Sequence, residues 1–215
     1  MKNEKEIIFL GRSLIALKKV LEYTPIKMVI VEDLPASDSV FNYCIKNGIE
    51  CKRVKNSEEI TIVASVFKDG IDLAVVSCFG YILRPQFIDK CCYVVNFHSG
   101  ILPVCRGRHP LPSAIKYHHE YMGITAHIIE DGKIDRGGVV ASLQIPINYE
   151  FDYTYNEALL SHNEAAMVDL VLFEYFNTGY LHAAALTSDG NYFPRMQPEE
   201  LEKICHIEKL KYLWD

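Results

Sequence analysis

The residues of this chain best suited to chemistry gather where one apolar run ends, VVNFHSGILPVCRGRHP (94–110). Asn96 and His98 lie there two positions apart, just ahead of a loop broken by glycine and proline. Side chains two apart on an extended segment share a face, so an amide donor and an imidazole that titrates near neutrality can converge on one atom. A carboxylate joins them from a distance. Asp135 stands in the turn EDGKIDRGG between two later extended segments, where Gly132, Gly137 and Gly138 let the backbone bend back toward the opening loop. Asn, His and Asp together supply an amide donor, an imidazole and a carboxylate base. Arg106 and Arg108, in the loop itself, could clamp a substrate phosphate or simply be solvated.

Other candidates carry less. Gly11 followed by Asp33 imitates a dinucleotide fingerprint, but GRSLIA lacks the further glycines that admit a pyrophosphate. His118, His119 and Glu120 are consecutive on an expected helix, where neighbours diverge by about 100° and do not share a metal easily. With no H-E-x-x-H and no paired cysteines, no metal site is expected. Ser99 beside His98 lacks a G-x-S-x-G elbow, and adjacent side chains on an extended segment point apart, so a serine triad is not expected.

The elements that must position these residues follow from periodicity. Short β-branched runs at EIIFL (6–10), KMVIVED (27–33), IECKRV (49–54), DLAVVS (72–77) and YVVNF (93–97) read as strands. Between them lie amphipathic stretches. A helix is expected from about Ser13 to Tyr23 with a Leu14, Leu17 and Leu21 stripe, another over 38–47 stopped by Gly48, and a third over 57–68 capped by Ser57. The almost unbroken apolar run at 72–77 implies a strand covered on both faces. Such alternation predicts a mainly parallel open sheet with its ligand crevice at the carboxyl ends of the strands, where Asn96 and His98 fall.

The second half changes character. A helix can open at Pro110, and GITAHIIEDG (123–132) and GGVVASLQIPI (137–147) read as a pair of strands. Thr154 with Glu157 suggests a capping box for a long helix over 155–177, with Leu159, Ala166, Leu170 and Phe173 as its apolar side and Gly179 as its end. Residues 1–179 are expected to form one domain, with a tail over 180–215 packed on it.

Composition limits the partners. The 28 acidic residues outnumber 22 lysines and arginines, giving −6 over 215 residues with no basic block, so nucleic acid is not an expected partner. Seven cysteines without C-x-x-C spacing suit a reducing compartment. The apolar run in MKNEKEIIFLG is too short for a signal segment, and LAVVSCFGYIL (73–83) is too short to span a bilayer. A cytoplasmic protein with no membrane partner is expected.

N-F-H (96–98), G-I-L-P (100–103), R-G (106–107), G-I-T-A-H (123–127) and D-R-G-G-V (135–139) together resemble the folate-dependent formyltransferase family, over about Phe79 to Val140. That family includes glycinamide ribonucleotide transformylase, methionyl-tRNA formyltransferase and the nucleotide-sugar N-formyltransferases. The resemblance implies a Rossmann-like α/β fold with helices on both faces of the sheet, N10-formyltetrahydrofolate as co-substrate, no metal, and Asn96, His98 and Asp135 as the catalytic trio. It implies that Phe79, Gly80, Tyr81, Ile82 and Leu83, with the backbone of Glu130, Asp131, Gly132 and Lys133, hold the folate. Ser99, Gly100, Arg106, Gly107 and Arg108 would then face the amine substrate. HSG where many members have His-Pro-Ser, Cys105 where an aromatic often stands, and the closing NYFPRMQPEE are closer in character to short nucleotide-sugar N-formyltransferases. The end at Asp215, too early for the C-terminal domain of long members, and the acidic charge argue against tRNA. The expectation is formyl transfer to a nucleotide-linked amino sugar of cell-surface glycan synthesis, with homodimer formation open. The alternatives are phosphoribosylglycinamide formyltransferase of purine synthesis and a catalytically silent folate- or nucleotide-binding regulator.

Overall fold

Valine- and isoleucine-rich runs become strands because branched side chains pack well on a pleated surface. The computed structural model describes residues 5–214, so the first four residues of the N-terminal segment lie outside it. In chain order the first half comprises β1 (Ile7–Gly11), α1 (Leu14–Tyr23), β2 (Met28–Glu32), α2 (Asp38–Lys46), β3 (Cys51–Val54), α3 (Ser57–Val63), β4 (Ile71–Ser77), α4 (Pro85–Ile88) and β5 (Cys91–His98). The second half comprises β6 (Arg106–Gly107), α5 (Pro110–Lys116), β7 (Tyr121–Ile128), β8 (Val139–Pro146), α6 (Tyr153–Thr178), β9 (Tyr192–Phe193) and α7 (Pro198–His206).

Seven strands form one sheet in the order β3-β2-β1-β4-β5-β7-β8. The first five are parallel, while β7 runs antiparallel to β5, and β8 to β7. This is the expected Rossmann-like, mainly parallel sheet closed by a hairpin. Along β1 the side chains alternate: Ile7 and Phe9 enter a core shared with α1, α2 and α6, whereas Ile8 and Leu10 enter a second core under α3 and α4. Burial on both faces is why these strands read as continuous apolar runs.

Local details depart from the expectations at four places. The helix expected to carry His118, His119 and Glu120 stops at Lys116, and His118 is left-handed, φ 54°. Asn56, not Ser57, caps α3: its side chain accepts from the Glu58 and Glu59 amides, and the helix gives way after Val63 to a 3-10 turn at Ala64–Val66. Asp152, not Thr154, caps α6 by accepting from the Tyr155 amide. The expected apolar side of α6 is also misplaced, since Leu170 is 57% and Phe173 62% exposed and Ala166 faces out. The buried face carries Leu160, Met167, Val168, Val171, Leu172 and Tyr175. Apolar residues occur all round this helix, so periodicity does not choose a face; packing on the sheet does.

The tail after Gly179 returns to the body. Leu181, Met196, Ile204 and Leu210 join the larger core. Val139 and Ala184 exchange backbone hydrogen bonds of 2.8 Å, and β9 pairs in parallel with β6, the short strand that follows the candidate loop.

Candidate active site

The site is built where β5 ends and the hairpin crosses beside it. The β5–β7 register sets Asn96 opposite His127 and His98 opposite Thr125. Directly opposed residues share a face and lie close enough to touch. Asn96 Nδ2 lies 3.0 Å from His127 Nε2. His98 Nε2 is 2.8 Å from the Cys105 carbonyl oxygen, which requires this nitrogen to carry the hydrogen and donate. The other ring nitrogen, Nδ1, then faces Asp135 Oδ1 at 3.7 Å.

Asp135 reaches this point from the β7–β8 connection. Its backbone is left-handed, φ 51°, a conformation that aspartate tolerates better than most residues. Three groups gather on its carboxylate: the Gly107 amide donates to Oδ2 at 2.9 Å, while His127 Nε2 and His98 Nδ1 approach Oδ1 at 3.5 and 3.7 Å. Two glycines make the loop fit. A Cβ at Gly100 would sit 2.7 Å from both His98 Nε2 and the Cys105 oxygen, and one at Gly107, φ 117°, would sit 2.1 Å from the Phe193 oxygen. Gly100 therefore permits the His98 hydrogen bond, and Gly107 lets the tail strand close on the loop.

Electrostatics separate the roles. Burial is the dominant influence on His98 and lowers its pKa; the Asp135 charge and the Cys105 carbonyl oppose it without reversing it. Burial alone raises Asp135, but the hydrogen bond from His127, the His98 ring and the Gly107 amide together outweigh it, and its carboxyl is held below the ordinary value. The resting site at neutral pH is a neutral imidazole facing an ionised carboxylate.

Asn96, His98 and Asp135 line one cavity of about 450 Å³, within the usual range for a small-molecule site. Residues 79–83 form one wall, and Asp131, Gly132 and Lys133 another. The backbone of Tyr81, Ile82 and Leu83 makes no hydrogen bond to the rest of the described backbone. Their donors and acceptors are therefore left open, beside apolar lining residues such as Val76 and Leu83. Glu130 turns away, toward a separate surface depression with Arg136 and Asp189.

Of the loop residues, Ser99, Gly107 and Arg108 line the cavity. Gly100 lines an adjoining one that shares Ser99 and Pro110 with it. Arg106 lines neither: it is 7% exposed, its Nε has no hydrogen-bond partner, and its guanidinium carbon lies 5.9 Å from the Tyr192 ring centre. Sequence reasoning missed His127, Arg12, Tyr192 and Arg195, all of which touch Asn96 or line the cavity. His127 was detectable, since aligning NFH with GITAH as an antiparallel pair sets it beside Asn96. Tyr192 and Arg195 lie in the NYFPRMQPEE segment noted for its family character, but nothing local to it places them in the cleft. Among the described residues no group of three or more His, Cys, Asp and Glu is arranged to hold a metal ion.

Fold and site together define a Rossmann-like α/β protein with an Asn, His and Asp cleft at the carboxyl ends of its strands. The formyl transferase family model matches residues 25–171, and the chain belongs to that family. Methionyl-tRNA formyltransferase of Coprothermobacter proteolyticus is 29% identical over 148 residues, 68% of this chain and 48% of that protein. The chain thus spans about half the length of the curated relatives it matches. The structure of an N-formyltransferase from Helicobacter canadensis, in complex with folinic acid and dTDP-3-aminofucose, superposes with a TM-score of 0.73 at 19% identity, over 89% of this chain and 71% of that one. Phosphoribosylglycinamide formyltransferase of Streptococcus pneumoniae gives 0.71 at 19% identity, over 80% of this chain and 99% of that one. At these identities the likeness shows the fold.

Proposed function

We propose that this protein transfers a formyl group from N10-formyltetrahydrofolate to the primary amine of a nucleotide-linked amino sugar. The observation that carries the reading is the convergence of Asn96, His98 and Asp135 in one cavity whose opposite wall is the open-backboned loop 81–83. In this reading residues 79–83 and 131–133 hold the folate, which supplies a formyl carbon activated on N10. Asn96 presents an amide N–H to the formyl oxygen as negative charge develops there. Which end of that amide faces His127 follows from which tautomer His127 adopts. With its oxygen accepting from His127, Asn96 has both amide hydrogens free for the cleft. Asp135 would take the proton that the attacking amine loses, and that proton would pass to N10 as the C–N10 bond breaks and tetrahydrofolate leaves. His98, fixed through Nε2 by Cys105, can accept a proton only at Nδ1, 3.7 Å from Asp135, and its charge then favours both the carboxylate and the formyl oxygen.

The sugar reading rests on the HSG and NYFPRMQPEE segments and on the likeness to the Helicobacter canadensis enzyme, whose complex holds a dTDP amino sugar. Residues 1–179 act in it as the catalytic domain, and 180–215 as a tail on the same core. The cytoplasm is the proposed site of action: all seven cysteines are unpaired, as suits a reducing compartment, and no helix of the described residues is long and apolar enough to cross a membrane. The test is a panel of amines offered with N10-formyltetrahydrofolate. It comprises nucleotide-linked amino sugars, glycinamide ribonucleotide and methionyl-tRNA. Formylation of a sugar nucleotide is expected; turnover of only one of the other two would overturn the sugar assignment, and turnover of none would favour a silent folate binder.

A further inference from the structure

Four cations line the cavity: Arg12, Arg108, Lys133 and Arg195. Two are already neutralised. Arg12 Nε lies 3.1 Å from Glu32 Oε2, and Lys133 Nζ lies 3.0 Å from Asp131 Oδ2. Arg108 and Arg195 have no ion pair or hydrogen bond among the described residues. They come from distant parts of the chain, Arg108 from the loop after β6 and Arg195 from the tail just after β9, yet they converge. The Met196 amide donates to His109 Nδ1 at 3.3 Å, which ties the segment beside Arg195 to the segment beside Arg108. His109 between them has a lowered pKa, through burial first and then through the positive charge of both arginines.

The start of α1 carries a carboxyl of the chain's own. Helix N-termini behind the first strand ordinarily receive phosphate. Here the N-cap of α1, Ser13, donates at 2.7 Å to Glu164, a carboxyl buried from α6 that also accepts from Ser77. A carboxyl of the chain thus engages the capping hydroxyl of α1, and burial pushes the Glu164 pKa up.

We propose that Arg108 and Arg195, which line the cavity together with Tyr192, form a subsite for the diphosphate of the amine substrate, and that the tail over 192–195 is a substrate-binding element. The proposal rests on the formyl-transfer reading for the identity of the ligand. Its charge argument stands apart: two unpaired guanidinium groups lining one cavity match a doubly charged phosphate better than any neutral group. The carboxylates of the folate tail are the competing source of negative charge, and the experiment separates the two.

The full-length protein is titrated calorimetrically at low salt with inorganic pyrophosphate and, separately, with 5-formyltetrahydrofolate. The wild type, Arg195→Gln and Arg108→Gln are compared. Losing one charge-assisted contact is expected to weaken pyrophosphate roughly 10-fold or more while leaving the folate unchanged. Pyrophosphate that does not bind the wild type, or binds the variants equally well, overturns the subsite. Weakening of the folate instead assigns the arginines to the co-substrate and also overturns it. Both arginines are exposed, and an unchanged melting temperature confirms that the variants fold. Failure of the formyl-transfer reading appears elsewhere, as absence of turnover with every amine in the panel.

Discussion

Asp135 concentrates the consequences that belong to single residues. Its carboxylate is held by a backbone amide and approached by two imidazoles, so replacing it with Asn preserves the shape and removes the proposed base. Asp135→Asn should lower turnover roughly 100-fold to 10,000-fold, the usual span for a general base, with folate affinity nearly unchanged. Steady-state kinetics with a formylated-product readout would show it, and wild-type turnover would remove Asp135 from the mechanism. His98 makes a prediction about pH. Its folded pKa lies below that of the unfolded chain, so the unfolded state binds more protons as pH drops below about 6.5. The stability that neutral His98 contributes is present above that pH and is lost as pH falls through it. Melting temperatures from pH 7.5 to 5.5 should fall more steeply for the wild type than for His98→Asn.

Elements are held by contacts that local pattern only partly announces. Asp152 caps α6, whose buried face closes the larger core, so Asp152→Ala should cost about 1 kcal/mol, read from denaturant midpoints at constant m value. Glu164 joins α6 to the start of α1 and the end of β4 through two serine hydroxyls. Because its folded pKa is raised, the stability it contributes is fully present below the ordinary carboxylate range and is lost as pH rises through the folded value. Glu164→Gln keeps a polar group in contact with both serines without that penalty. Its melting temperature relative to the wild type should climb between pH 5 and pH 8; a constant difference would mean that the folded pKa of Glu164 is not raised.

At the level of the molecule the tail and the cleft are directly joined. The Gly107 amide holds Asp135, and the same residue pairs with Phe193 of the tail strand. Gly107→Ala would place a Cβ 2.1 Å from the Phe193 oxygen. It should release β9, lower the melting temperature and reduce turnover together, although the residue itself has no reactive group. Hydrogen exchange offers the companion measurement. The tail amide of Ala184, bonded to Val139, should exchange with the slow amides of the sheet and not as a separately opening segment.

Much of this was legible in the chain alone. Unbroken Val and Ile runs determined a two-sided parallel sheet, Gly179 ended the long helix in a left-handed turn, and the spacing of Asn96 and His98 set both on one face of the strand end that meets the cleft. Those properties are local: they follow from side-chain period and backbone freedom within a few residues. Which face of α6 is buried, that Arg106 sinks beneath Tyr192 while Arg108 faces the cavity, and that His127, Tyr192 and Arg195 complete the site were decided only by tertiary structure. The physical reason is distance along the chain. Register between β5 and β7, and the docking of β9 on β6, bring together residues with no shared periodicity, and only the packed core selects those pairings.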